Sequence, residues 1–240
     1  MINPIFLKDF YKVGHIEQYP KGTEKVFSNF TPRKALIQSD YVVVFGIQYL
    51  LKEYLIKQFN HGFFNNLNAV VEYQDFMEKT LGVHKEFAHI QQLHDLGYLP
   101  IEIRAITEGR KVPIGVPILT ITNTDPKFFW LPNMLETLIS CILWPACTSA
   151  TIASHYRTLL DRYANETSDN GWFVDYQAHD FSFRGLMGVE AAMLSGAGHL
   201  QFFKGTDTIP GIHMLHDYYG TDYSCGTSVN ATEHSVMCAG

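Results

Sequence analysis

The 240-residue sequence has few of the features that mark nucleic-acid-binding, metal-binding or exported proteins. Lys and Arg form no run, and the formal net charge at pH 7 is −6, which argues against nucleic acid as the main partner. The four cysteines, at positions 141, 147, 225 and 238, lack metal-ligand spacing and are typical of free thiols in a cytosolic protein. Residues 1–12 have no apolar core of a signal peptide, so a cytoplasmic location is expected.

Long apolar runs, repeats and hydrolase motifs are also missing. The uncharged stretch 137–154 contains Pro145 and several Ser and Thr, and it falls short of the about 20 apolar residues that cross a membrane. A buried helix is the better prediction. Neither a nucleophile elbow nor a paired-carboxylate motif is present, which argues against a barrel hydrolase.

The histidines do not predict a metal site. His84, His89 and His94 are five residues apart, which is not the spacing of one helix face, so they are predicted to be solvated or capping residues. His213 and His216 are three apart, but no third ligand accompanies them. No resident metal is therefore expected.

The first part of the chain predicts a mixed α+β domain. Alternating apolar residues predict strands at 25–30, 101–106 and 117–122, and helical apolar stripes cover 40–59 and 65–82. Strands that follow one another without an intervening helix favour an antiparallel or mixed sheet. An apolar helix that starts over 128–142 and continues as a helix over 149–165 comes next, and the predicted domains are 1–148 and 149–240.

The second part predicts strand–helix alternation. The pattern gives a strand at 172–176 that ends in a polar pair, a small-residue helix at 189–198, a second strand at 199–203 and a helix at 210–219. Ligands of parallel α/β folds bind at the carboxyl ends of the strands. Phe181, Arg184 and Asp207 follow these strands, so together they favour a ligand site over ordinary caps and salt bridges.

Several short motifs, taken in order, carry a resemblance to a known family. They are DFYKV from Asp9, QYP from Gln18, PIEI from Pro100, NTDP from Asn123, HDFSFRG from His179, GTDT from Gly205 and Glu233-His234-Ser235. The set strongly resembles the nicotinamide phosphoribosyltransferase family and covers nearly the whole chain, although any single motif would be weak.

The resemblance implies a fold and a reaction. It implies a mixed α+β N-terminal domain followed by the first part of the α/β (TIM-like) barrel of type II phosphoribosyltransferases, and a homodimer with shared active sites. The implied reaction transfers phosphoribosyl from phosphoribosyl pyrophosphate to nicotinamide, with Mg²⁺ bound to the pyrophosphate substrate and optional ATP use through histidine phosphorylation. The family's second half completes the barrel, so the 240-residue chain alone is expected to be inactive.

The resemblance also implies the roles of individual residues. Phe181 and the partner subunit's Tyr11 would sandwich the nicotinamide ring, Arg184 would bind pyrophosphate, Asp207 would accept from the carboxamide, and the catalytic His234 would contact pyrophosphate and carry the phosphoryl group. Asp9 and Arg33 would act across the dimer interface. From the residues alone, each has a structural alternative. Phe181 could be a core ring, Arg184 could form a salt bridge, Asp207 could cap the helix near Pro210, and His234 could be structural. In the first part of the chain, Asp9 could be a helix cap, Tyr11 a packed phenol and Arg33 a surface side chain.

Two alternative functions stay open. Nicotinate phosphoribosyltransferases share the architecture, and a fragment that dimerises or binds nicotinamide without turnover belongs to a different class. Asp207 argues against nicotinate, because two carboxylates would meet in a poorly hydrated pocket. Glu233 is a candidate to orient His234, and Asn230 stands where the family pattern leads us to expect proline.

Overall fold

The computed structural model describes residues 2–34 and 37–240, which form two compact units, Met1–Trp144 and Pro145–Gly240. The division falls inside one long helix, as does the predicted boundary at residue 148.

Unit 1 is built on antiparallel strands. Strands β1 (Phe27–Phe30), β5 (Leu119–Asn123) and β3 (Ile101–Ala105) form one sheet in that spatial order, and β2 (Tyr41–Val43) pairs with β4 (Lys111–Pro113). Alternate residues of β5 are buried, as the period of a strand with one core face requires. The predicted antiparallel sheet is confirmed.

The helices of unit 1 cover the remaining apolar sequence. They are α1 (Ile47–Tyr49), which continues as π-helical turns over Leu50–Gln58 and Asn60–Phe64, then α2 (Ala69–Leu81), α3 (Ala88–Leu96) and α4 (Leu131–Met134), with 3₁₀ helices at Pro4–Phe6, Phe10–Glu17 and Pro126–Phe128. Phe59, Phe63 and Tyr73 are fully buried among them. The helix predicted over 40–59 is wrong at its start, because residues 41–43 pair with β4 as a strand.

The prediction that three histidines of unit 1 are solvated or capping is wrong for His89. His84 is exposed and pairs with Glu78 at 2.6 Å. His89 instead packs edge-on against the buried Trp130, at a centroid distance of 4.8 Å. Burial, assisted by the nearby charges of Lys8 and Lys85, lowers the pKa of His89 to about 4.

Helix α5 (Glu136–Thr167) runs without interruption through Pro145, so the predicted apolar helix that continues to residue 165 is confirmed. Its predicted start at residue 128 is wrong, because residues 131–134 form the separate short helix α4. Among the described residues, Leu131–Thr167 is the stretch long and apolar enough to cross a membrane by length and composition. Of its most apolar window 56% is buried inside the protein, as in core helices, which pass the same test.

The rest of unit 2 alternates short strands and helices. The elements are α6 (Val174–Gln177), β6 (His179–Asp180), α7 (Val189–His199), β7 (Gly205–Thr206), α8 (Ile209–Tyr219) and α9 (His234–Met237), with 3₁₀ helices at Phe183–Gly185 and Tyr223–Cys225. Strands β6 and β7 are parallel, and α7 connects them. The predicted helices at 189–198 and 210–219 are confirmed.

Two predicted strands of unit 2 are wrong in position. Residues 172–176 lead into α6, where Asp175 pairs with Arg157 at 2.7 Å and with Lys204 at 2.9 Å. Residues 199–203 end α7 and turn, so that Phe203 packs in a buried cluster with Val174. Both segments are therefore fixed by tertiary contacts, and the true strands begin a few residues later.

Small residues let α7 and α8 pack closely. A Cβ added at Gly211 would lie 2.9 Å from the backbone nitrogen of Ala197 and 2.9 Å from the carbonyl carbon of Gly196. Because both neighbours are backbone atoms, they cannot move aside as a flexible side chain could. We expect Gly211→Ala to destabilise the protein by about 1–3 kcal/mol, as overpacked cores do.

Denaturant unfolding of the full-length gene product would measure this effect. Gly171→Ala is the matched control, since a Cβ at Gly171 meets nothing within 4 Å. Equal stability of the two variants would contradict close packing of α7 on α8.

Candidate functional site

Polar side chains meet at the carboxyl ends of β6 and β7. The two strands pair His179 with Gly205 and Asp180 with Thr206. A third segment adds to this edge, because Thr206 N–H donates to the carbonyl of Thr227 at 2.9 Å and Gly205 bridges Thr227 in parallel. The residues that follow, 181–184, 207–208 and 228, therefore emerge from one end of neighbouring strands, the usual ligand position in such folds.

Asp207 is held at this edge by three groups. Its N–H donates to the carbonyl of Asp180 at 2.9 Å, and its Oδ1 accepts from Nε2 of His179 at 3.1 Å and from the hydroxyl of Ser228. The Ser228 hydrogen bond and then the His179 hydrogen bond hold the pKa of Asp207 below its ordinary value. Its second oxygen, Oδ2, accepts no hydrogen bond from the described residues.

The structure contradicts the alternative that Asp207 caps the following helix. Thr208 occupies the N-cap position of α8, and no side chain makes a capping hydrogen bond there. The Asp207 side chain, 40% exposed, turns instead to His179 and Ser228. Its carboxylate therefore makes no capping hydrogen bond to α8.

Phe181 is next to His179 and presents its ring to solvent. The two ring centroids are 4.5 Å apart with planes tilted by 32°, and Phe181 is 63% exposed. The alternative of a core aromatic therefore does not describe Phe181. An exposed ring close to a fixed carboxylate can bind a flat ligand that carries a hydrogen-bond donor.

A second polar cluster lies behind the site and was missed by sequence reasoning. Asp180 and Thr208 are buried, and Asp180 Oδ1 accepts from the N–H of Ser182 at 3.0 Å. Burial raises the pKa of Asp180, but the Ser182 and Thr208 hydroxyls and the Ser182 N–H outweigh it, so the pKa lies below its ordinary value. Neither hydroxyl makes a hydrogen bond of standard geometry with a described residue.

His199 closes this cluster. Its Nε2 lies 2.9 Å from the carbonyl oxygen of Gly205, and its ring stacks on Phe203 at 5.1 Å. Burial lowers the pKa of His199 and so favours the neutral imidazole. No sequence pattern predicts these contacts of His199, because it follows directly on the apolar small-residue stretch 189–198.

Arg184 and His234 are exposed, and their side chains make no hydrogen bond or ion pair with the described residues. Arg184 lies in the 3₁₀ helix Phe183–Gly185, and within residues 2–34 and 37–240 it has no ion pair, so the predicted alternative of a salt bridge to Asp180 or Asp207 is absent. His234 begins α9, and Glu233 accepts from the hydroxyl of Ser235 rather than from His234.

Three predicted residues lie in unit 1. Asp9 precedes the 3₁₀ helix Phe10–Glu17 without a side-chain cap, and its Oδ2 accepts from the Thr137 hydroxyl at 2.6 Å. Tyr11 is 62% exposed rather than packed. Arg33 is exposed after Pro32. The structural alternatives for Asp9 and Tyr11, a cap and a packed phenol, are therefore not what the structure has.

In the part of the chain that the structure describes, no group of three or more His, Cys, Asp and Glu side chains could hold a metal ion. The candidate site instead combines the Asp207 carboxylate, the exposed ring of Phe181 and the Arg184 guanidinium, and among the described residues Oδ2 of Asp207 and the guanidinium have no partner. Such a set suits a planar ligand together with an anionic one.

Two protein-family models match the chain. Residues 3–103 match the nicotinamide phosphoribosyltransferase N-terminal domain, and residues 176–240 match the nicotinate phosphoribosyltransferase (NAPRTase) family. The second match covers all the site residues of unit 2.

Curated relatives carry one name. Nicotinamide phosphoribosyltransferase of Acinetobacter baylyi is 46% identical over 100% of this chain and 49% of its own length. Those of Xanthomonas campestris and Mycoplasma genitalium are 33% and 32% identical, over 98% and 96% of this chain and 48% and 52% of their own lengths. The chain spans about half the length of the curated relatives that it matches.

Two solved structures share the fold. Human nicotinic acid phosphoribosyltransferase superposes with a TM-score of 0.69 at 16% identity, over 98% of this chain and 41% of that one. Nicotinate-nucleotide pyrophosphorylase from Pyrococcus furiosus gives 0.52 at 14% identity, over 97% and 43%. At these identities the likeness establishes a common mixed α/β fold.

Proposed function

We propose that this chain, which belongs by sequence to the nicotinamide phosphoribosyltransferase family, supplies the pyridine-binding part of an enzyme that makes nicotinamide mononucleotide. The observation that carries the proposal is that His179 contacts both Asp207 and the exposed ring of Phe181. Oδ1 of Asp207 accepts from His179 and Ser228, and Oδ2 accepts from none of the described residues. Nicotinamide offers the complementary groups, a flat ring and an amide NH₂ that donates.

In the proposed reaction the pyridine nitrogen of nicotinamide attacks C1 of phosphoribosyl pyrophosphate. The bond from C1 to the pyrophosphate oxygen breaks, and pyrophosphate leaves with Mg²⁺ that arrived as part of the substrate. Phe181 stacks on the ring, which contributes roughly 0.5–1.5 kcal/mol beyond area burial. Arg184, exposed and unpaired among the described residues, is free to bind pyrophosphate oxygens with its fork of donors.

His234 is proposed to contact pyrophosphate and to accept the γ-phosphoryl group of ATP, with ADP as the leaving group. Exposure of its imidazole, with no hydrogen bond to a described residue, supports access for a nucleotide. Acid-labile, alkali-stable labelling by γ-labelled ATP, lost in His234→Ala, is the expected result.

We further propose that β6 and β7 are the first strands of an α/β barrel of the type II class, completed by sequence beyond the 240 residues. Their parallel pairing through α7 supports this. The buried part of Leu131–Thr167 supports a core helix in a cytoplasmic protein. On this proposal the 240-residue chain alone makes no nicotinamide mononucleotide.

The test is direct. The full-length gene product, supplied with Mg²⁺ and phosphoribosyl pyrophosphate, is assayed with nicotinamide and with nicotinate, and products are separated by chromatography. Nicotinamide mononucleotide as the main product supports the proposal. Preference for nicotinate would favour the second candidate, which the family match of residues 176–240 keeps open. Binding of nicotinamide without turnover would indicate a non-catalytic protein.

A homodimer with shared active sites is also proposed, with Asp9, Tyr11 and Arg33 supplied to the partner's site. The exposure of Tyr11 and Arg33 in unit 1 supports it. We expect Tyr11→Ala and Phe181→Ala proteins, each weakly active alone, to regain activity when mixed, because about one site per heterodimer would then carry no substitution. Heterodimers that form and stay as inactive as the parents would contradict sharing.

A further inference from the structure

We infer that His179 is a positioning residue that holds Asp207 and Phe181 in one arrangement and so sets the preference for a neutral over an acidic pyridine. The inference rests on the proposed function, to which it adds a residue that touches neither the ring nor the reacting atoms.

The contacts of His179 join the two recognition groups. Its Nε2 lies 3.1 Å from Asp207 Oδ1, and its ring centroid lies 4.5 Å from that of Phe181. Since an ionised carboxylate only accepts hydrogen bonds, Nε2 must carry the proton. The His179 side chain is only 15% exposed, so it has little freedom to leave this position.

The backbone opposite His179 leaves space for the imidazole ring. His179 pairs with Gly205 across the parallel strands, and a Cβ at Gly205 would lie 2.7 Å from Nδ1 of His179. That distance is too short for a real contact, so any larger residue at 205 would displace the imidazole. Glycine in the GTDT motif therefore makes room for the ring that holds the aspartate of the same motif.

The two carboxylate oxygens of Asp207 therefore have different functions. His179 and Ser228 both donate to Oδ1, which leaves Oδ2 as the acceptor at the open side. An amide NH₂ can donate to Oδ2, whereas a carboxylate there meets negative charge without a donor between them. Without His179 the carboxylate can rotate, and its preference for the amide weakens.

The experiment measures kcat and KM for nicotinamide and nicotinate in the full-length gene product. We expect His179→Phe to lower kcat/KM for nicotinamide about 10–100-fold, the loss typical of a hydrogen bond to a charged group, mostly through KM. His179→Gln, whose side-chain amide can donate to Oδ1, should recover to within about threefold of the parent. Gly205→Ala should resemble His179→Phe.

A double-mutant cycle separates positioning from a general structural role. In an Asp207→Ser background, His179→Phe should cost less than about twofold, because contacting residues are not additive. His213→Gln is the matched control, because His213 is exposed and, among the described residues, its side chain pairs with Asp217 alone. Its kinetics should match those of the parent. Thermal midpoints identify variants that do not fold. If His179→Phe is one, His179→Leu, which likewise cannot donate to Oδ1, takes its place in the cycle.

Equal losses for His179→Phe in both backgrounds, or an unchanged nicotinamide-to-nicotinate ratio, would overturn the inference. Its failure is distinguishable from that of the proposed function. If Asp207→Ser alters the ratio and His179→Phe does not, only the positioning role is wrong. If Asp207→Ser itself leaves the ratio unchanged, the recognition of the amide by Asp207 is wrong.

Discussion

Asp207→Ser is expected to lower the ratio of kcat/KM for nicotinamide to kcat/KM for nicotinate by about two to three orders of magnitude. A site that forms a hydrogen bond to its substrate can discriminate by ~10⁴-fold against an analogue that lacks the bonding group. Two effects act together. The variant loses the acceptor for the amide NH₂, which lowers kcat/KM for nicotinamide. It also removes the negative charge that repels nicotinate, so kcat/KM for nicotinate should hold or rise.

The pKa of Asp207 determines the pH range of this effect. The hydrogen bonds from Ser228 and His179 keep that pKa below its ordinary value, so the carboxylate is ionised throughout the neutral range. The carboxyl groups of Asp207 and of nicotinate are both ionised between about pH 6 and 8, because both titrate at lower pH. Asp207 should therefore cause no change with pH, over this range, in the ratio of kcat/KM for nicotinamide to that for nicotinate.

Asp217→Ser is the matched control. Asp217 is 44% exposed, close to the 40% of Asp207, and it also pairs with a histidine, at 3.0 Å from His213. It should leave both substrates unaffected. If Asp207→Ser keeps the selectivity of the parent and only lowers the thermal midpoint, Asp207 has a structural role and amide recognition must lie elsewhere.

The residues of the candidate site could be proposed from the sequence, whereas two strands were predicted in the wrong position. Phe181 and Arg184 follow the polar pair His179-Asp180, and Asp207 lies in the GTDT motif, where β7 ends. Such polar motifs are a local property of the sequence. The contacts of Asp207 could not be predicted from the sequence, because His179 and Ser228 are 28 and 21 residues away along the chain. Only the register of β6 on β7 and the bridge to Thr227 bring them together.

The errors in secondary structure have a physical cause. Residues 172–176 alternate in polarity, but five residues also make little more than one helical turn, so the pattern does not separate the two. In the structure Asp175 binds Arg157 from α5 and Lys204 from the segment after α7, and the adjacent Val174 is fully buried. Tertiary contacts of this kind, between residues far apart along the chain, can override local propensity and cannot be predicted from a single sequence.

Unit 1 leads to the second large prediction. Replacement of Lys8 by methionine is expected to raise the free energy of unfolding at pH 7 by about 1–3 kcal/mol, because it removes a desolvated ammonium group. Nζ of Lys8 lies 3.7 Å from Met134 Sδ and 4.6 Å from the ring centre of the buried Tyr73. Burial lowers the pKa of Lys8 from 10.5 to about 7.

The sign of the pH dependence follows from proton binding. Between about pH 7 and 10.5 the unfolded chain holds the Lys8 proton and the folded chain has lost it. Stability must therefore rise with pH in this window, by about 2 kcal/mol between pH 7 and 9. In the folded protein His89, with a pKa of about 4, is already neutral there, and burial raises the pKa of Tyr73, so neither group titrates in the folded state within the window.

Denaturant unfolding of the full-length gene product at pH 7 and pH 9 measures both effects. The parent should gain stability between the two pH values, whereas Lys8→Met should show little of this gain. Lys57→Met is the control: Lys57 forms an exposed pair with Glu53, and such pairs contribute about 0–1 kcal/mol. It should keep the pH dependence of the parent. A Lys8→Met protein that is less stable than the parent and keeps its pH dependence would show that Lys8 is charged and paired in the folded protein.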